Sequence, residues 1–201
     1  MYTGSESRRK GVFMIKKIAL ATLLLTATVS VSAASSTPSE RQYNYLESGL
    51  GVANVDTAGS GIYLGLGGSG TFNNFIISGQ FSTDLNSKDA SVSRMGLGYY
   101  WSLANDSDLV VGYRTSKISL KAANGAVTTV KEESISLGFS NYVNDNSSLM
   151  AMLVIPLSVG GANFGLSGNY WINNTTAINL SYDPSNTAST TSITLRYSPQ
   201  N

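Results

Sequence analysis

From Met95 to Tyr113 the chain alternates between apolar and small or polar positions. Met95, Leu97, Tyr99, Trp101 and Leu103 fall on one parity, while Gly96, Gly98, Tyr100 and Ser102 fall on the other. After Ala104, Asn105, Asp106 and Ser107 the apolar parity resumes with Leu109, Val111 and Tyr113, against Val110, Gly112 and Arg114. A period of two is the strand period, and a polar turn between two such runs predicts a hairpin. The face opposite the apolar one is largely Gly, Ser and Arg, too small and too polar for a compact globular core. The aromatic residues gather near the turn. An apolar face turned to lipid accounts for all of this.

The same alternation predicts strands over Tyr43 to Ala53, Gly61 to Gly70, Phe75 to Thr83, Val130 to Tyr142, Ser148 to Leu157, Asn163 to Ile172, Thr176 to Tyr182 and Thr190 to Tyr197, ten with the hairpin. Ser148 to Leu157 is the least regular, because both its parities are apolar and Pro156 has no amide to give a ladder. Alternate connections are tight and rich in Asn: Asn73-Asn74, Asn105-Asp106, Val143 to Asn146 and Asn173-Asn174. Phe72, Tyr100, Trp101, Tyr142, Tyr170 and Trp171 come just before them. The other connections lack that signature, and the longest is the polar stretch Lys121 to Thr128. Short turns at one rim, longer loops at the other and an aromatic girdle predict an all-β fold: a transmembrane antiparallel up-and-down β-barrel. About ten strands are expected, with eight as the alternative. Their lengths match the ~9–11 residues a tilted strand needs to cross a bilayer. An even count puts both termini at the rim of the short turns.

The N-terminus and the composition support an exported membrane protein. Met14 to Ala34 has a basic start (Lys16, Lys17), an apolar core from Ile18 to Leu25 and small residues at its end, the pattern of a cleaved signal peptide. Residues 1–33 are therefore read as an N-terminal extension with signal peptide, 34–42 as a short polar tail and 43–201 as the barrel. Charged residues make up 12% of the chain, against about 25% in soluble domains. Five of the 13 basic and one of the 12 acidic residues lie in the first 33, which leaves a net charge of −3 on the remainder. That balance argues against a nucleic-acid partner. The absence of Cys excludes a disulfide framework and an acylated cysteine.

The repeated hairpins, the signal peptide and the final strand Ser192 to Tyr197 resemble the small outer-membrane β-barrel proteins of Gram-negative bacteria. The resemblance implies residence in the outer membrane, contact with its lipid and lipopolysaccharide, and the short turns on the periplasmic side. It also implies recognition of the last strand by the barrel-assembly machinery, here through Tyr197 with Ile193 and Leu195 on its parity. A Ser-Pro-Gln-Asn extension after Tyr197 departs from the usual terminal aromatic. A rival arrangement is a soluble periplasmic or secreted barrel that binds an apolar ligand, with Leu97, Tyr99, Leu137 and Leu195 lining its interior.

Candidate chemistry is sparse. The chain has no His, the commonest base near neutral pH, and the adjacent acids Glu132 and Glu133 fall on opposite faces. No catalytic, cofactor or metal site is expected. By parity Glu47, Arg94, Arg114, Glu132, Asp183 and Arg196 face the interior, where a charge must be paired or hydrated. Closing the barrel sets Glu47 beside Arg196, and Arg94, Arg114 and Glu132 are expected to form a second cluster nearer the loops. These groups either stiffen the lumen or line a narrow channel for small solutes. Tyr99, Trp101, Tyr170 and Tyr197 are expected as membrane-interface aromatics. Lys117, Lys121 and Lys131 are placed in loops, within reach of anionic lipopolysaccharide.

Overall fold

The computed structural model describes residues 42–55, 59–86, 90–104, 106–122, 124–158, 160–183 and 188–199. The signal peptide and most of the polar tail expected from the sequence lie outside these residues. Ten strands follow one another: β1 (Tyr45–Val55), β2 (Gly59–Phe72), β3 (Phe75–Asp84), β4 (Ala90–Ala104), β5 (Ser107–Lys121), β6 (Val127–Asn144), β7 (Ser147–Pro156), β8 (Asn163–Trp171), β9 (Thr176–Asp183) and β10 (Ala188–Tyr197). Each pairs antiparallel with its neighbour in sequence, and β1 pairs with β10, so the sheet closes into an up-and-down barrel with no free edge. The count is ten, which settles the eight-stranded alternative.

Local chemistry explains the turns. Phe72 pairs with Phe75, leaving Asn73 and Asn74 as a two-residue hairpin loop with φ of 48° and 67°. A hairpin this tight twists correctly only with positive φ at both central residues, a conformation Asn tolerates better than other side chains. The closing seam depends on Gly49: a Cβ there would run into the Ile193 carbonyl oxygen.

Burial alternates along the strands as the sequence pattern requires, with the apolar parity outside. Leu97 is 60% exposed, and Leu137, Leu195 and Ile77 point the same way. The soluble alternative needed Leu97, Leu137 and Leu195 inside, so their outward placement overturns it. A belt of Leu, Ile, Phe and Met around a closed barrel is what hydrocarbon, not water, accommodates.

The largest departures from expectation are at the start of β1, between β5 and β6, and in the aromatic girdle. Tyr43 does not begin the first strand. It sits in a helical turn with Gln42, and both side chains are buried. The polar connection after Leu120 is shorter than expected: β5 runs on to Lys121 and β6 begins at Val127, giving strands of 15 and 18 residues, with Gly125 between them at φ 83°. Lys117, Lys121 and Lys131 are consequently strand residues. Among the girdle aromatics, Tyr100 and Trp171 turn inward, because a period of two sends the neighbours of outward Trp101 and Tyr170 to the other face.

Candidate functional site

The candidate site is the lumen. Inner positions of the strands are mostly Gly, Ala, Ser, Thr and Asn, and the space they leave is a cavity of about 270 Å³ lined by Gln80, Arg94, Arg114, Asp183, Arg196 and Tyr43 among others.

At the seam, Glu47 and Arg196 are directly opposite each other on β1 and β10. Arg196 Nη2 donates to Glu47 Oε2 at 2.9 Å and its Nε donates to the same oxygen at 3.3 Å. Thr194 Oγ1 adds a third bond to that oxygen at 3.2 Å. The guanidinium also lies 3.6 Å from the centre of the Tyr45 ring. This pair is the one expected from strand closure.

Nearer the loops, Arg94 on β4 and Arg114 on β5 converge on Asp183 of β9. Arg114 Nη1 lies 2.7 and 2.8 Å from the two carboxylate oxygens, and Arg94 Nη1 lies 3.3 Å from Oδ2. Arg94 also donates to Gln80 Oε1 at 3.1 Å and to Thr190 Oγ1 at 3.4 Å. Because β4 and β9 are five places apart in a ring of ten, they are opposite walls, so the Arg94–Asp183 pair crosses the bore. Glu132 is buried in the cross-strand row Arg94, Ser116, Glu132, and its charge acts on Arg94. The expected cluster of Arg94, Arg114 and Glu132 therefore gains Asp183, which parity turns inward but strand adjacency cannot place with the arginines.

A further group at the turn-side mouth is absent from the sequence expectations. Gln42 Oε1 accepts from Ser148 Oγ and from Asn169 Nδ2, both at 2.8 Å, and Asn179 Nδ2 donates to Asn169 Oδ1 at 2.8 Å. Tyr43 stacks on Tyr100 with ring centres 4.8 Å apart, in an apolar cluster with Val110, Ile76 and Met150. Asn44 ties the segment to β2, its Oδ1 accepting from the Thr71 amide at 2.6 Å. Beside it the fully buried Asp108 accepts from Ser102 Oγ at 2.8 Å and from the Tyr142 hydroxyl at 3.0 Å. Burial, reinforced by the Asp108 charge, pushes the pKa of the Tyr43 hydroxyl far above the ordinary phenol value. The signal in the sequence is the irregular β7, whose inner apolar residue Met150 is what the segment packs against.

Of the predicted interface aromatics, Trp101 and Tyr170 are exposed on the outer face near the tight turns. Tyr99 packs between Phe75 and Trp101, with ring centres 4.9 and 4.7 Å away. Tyr197, half-buried, is opposite Leu46 and Thr176.

No family model and no curated protein matches the chain. Among solved structures, the KdgM porin in complex with disordered oligogalacturonate covers 78% of this chain and 99% of its own at 8% identity, with a TM-score of 0.48. Neisserial surface protein A covers 78% and 96% at 16% identity and a TM-score of 0.37. The attachment invasion locus protein Ail of Yersinia pestis covers 78% and 95% at 10% identity and a TM-score of 0.33. These neighbours are outer-membrane β-barrel proteins, and at such identities the likeness concerns the fold alone.

Proposed function

We propose that this protein is an integral outer-membrane barrel with a closed lumen and a non-catalytic role in envelope integrity or surface interaction. The carrying observation is the Arg94–Asp183–Arg114 bridge between opposite walls. With Glu132 beside Arg94, the two arginines are matched by two carboxylates, so an ion entering the bore meets a cluster with no net charge to draw it in. The Gln42–Asn44 segment obstructs the other end. Ten strands also enclose far less space than the ~16–18 of porins. The lack of His in the sequence supports a non-catalytic role, since the inward Glu47 and Asp183 are engaged with arginine, and Asp108 with Ser and Tyr hydroxyls, rather than held as a free proton-transfer pair. Function then rests on the outer face and the loop rim.

Planar-bilayer recording of the purified, folded protein tests this. The expected trace has no conductance steps. Stable steps that disappear when the barrel is thermally unfolded would replace this proposal with the narrow channel for small solutes.

A further inference from the structure

Six described residues are basic, and they divide cleanly. Arg94, Arg114 and Arg196 enter the lumen, whereas Lys117, Lys121 and Lys131 are on the outer face of the β5–β6 hairpin. Lys117 and Lys131 are directly opposite each other in the register of β5 and β6, and the row continues through Ser93 of β4 to Phe81 of β3. Like charges in that relation repel, and neither lysine has an ion-pair partner among the described residues. Glu133, one row towards the membrane, is engaged by the Tyr113 hydroxyl.

The rows beneath explain what an anion there would be attached to. Leu97, Tyr113, Ile135 and Ile155 form one cross-strand row on the outer face, and Met95, Thr115 and Glu133 form the next, flanked by exposed Leu157. Lys117 and Lys131 come one row later. At about 3.4 Å per residue and a tilt near 40°, one row raises the chain about 5 Å, comparable to the roughly 5–7 Å between hydrocarbon and the edge of the headgroups.

We infer that the Lys117–Lys131 row binds the phosphate of a phosphorylated, multiply acylated lipid of the outer leaflet, with the acyl chains lying along Leu97, Tyr113, Ile135 and Ile155. The phosphate relieves the lysine repulsion, and the apolar rows below supply the rest of the contact. This rests on the outer-membrane placement proposed above, with the loop rim outward.

The test uses the full-length protein folded in phosphatidylcholine nanodiscs doped with bis-phosphorylated or dephosphorylated lipid A, read by native mass spectrometry. Wild type is expected to retain phosphorylated lipid A. The Lys117→Gln, Lys131→Gln double variant is expected to lose about twenty-five-fold in retention, at roughly fivefold for each lysine, while keeping the heat-modifiable gel mobility of the folded barrel. Equal retention by the double variant, or equal retention of dephosphorylated lipid A, overturns the inference. So does competition by inorganic phosphate alone at the affinity of the lipid. The closed-lumen proposal stands or falls separately on the bilayer recordings.

Discussion

At the level of single residues, Glu47 and Arg196 hold the seam where the first strand meets the last. Removing either partner leaves a buried charge without its counter-charge, a loss of about 3–5 kcal/mol. Glu47→Gln and Arg196→Gln should combine less than additively, with a coupling of about 0.5–3 kcal/mol in a double-mutant cycle read by urea unfolding in lipid vesicles. Arg196→Gln should be the more damaging, because it also removes the guanidinium from the Tyr45 ring. Additive losses would mean the two residues act independently. Two glycines give a contrast that separates crowding from chain flexibility. A Cβ at Gly49 runs into the Ile193 carbonyl, whereas a Cβ at Gly79 meets nothing within 4 Å. Gly49→Ala should therefore weaken or abolish the heat-modifiable folded band, while Gly79→Ala should leave it intact or add about 0.4–1 kcal/mol.

At the level of elements, the Gln42–Asn44 segment has a pH signature. Folding raises the Tyr43 pKa, so its contribution is fully present below the ordinary phenol value of about 10 and is lost as pH climbs above it. Above that value the unfolded chain ionises at Tyr43 while the folded one does not. This costs about 1.4 kcal/mol of stability per pH unit. Unfolding midpoints between about pH 10 and 11 should fall more steeply for wild type than for Tyr43→Phe, and parallel slopes would sever Tyr43 from the plug. This segment also marks the limit of what the sequence reveals. Strand order, turn positions and the Glu47–Arg196 pair are legible because alternation and chain adjacency determine them. The meeting of Arg94 with Asp183 is not, because residues on opposite walls are related by strand number and stagger, which no local period encodes. Gln42 and Tyr43, the described residues of that helical turn, are too few to show a period. Its trace is the apolar inner parity of β7, which looks like noise until Tyr43 is seen against Met150. The β5–β6 extension is hidden for a related reason: Thr, Ser and Lys on an extended hairpin beyond the lipid have the composition of a loop.

At the level of the whole molecule, the decisive property is that the barrel is inside out relative to a soluble protein, with ionic pairs in its middle and Leu, Ile and Phe on its surface. The outer face of β6 samples the full depth of that surface. Lys131 and Thr129 lie beyond the apolar belt, Ile135, Leu137 and Phe139 form it, and Asn141 lies near the turns at its far edge. Leu137 is the central member. In lipid, a lysine at the midplane costs about 2–4 kcal/mol and near an interface about 0–1, so Leu137→Lys should destabilise the barrel strongly and Thr129→Lys hardly at all. In water the order reverses. Leu137→Lys would remove an exposed apolar side chain, with effects within about 0.5 kcal/mol, as surface substitutions have, and better solubility. Measuring both variants by reversible unfolding from phospholipid vesicles therefore reads the depth profile of the surrounding medium. A loss at residue 137 of the same size as at residue 129 would mean that hydrocarbon does not surround this belt, and the transmembrane placement would fall with it.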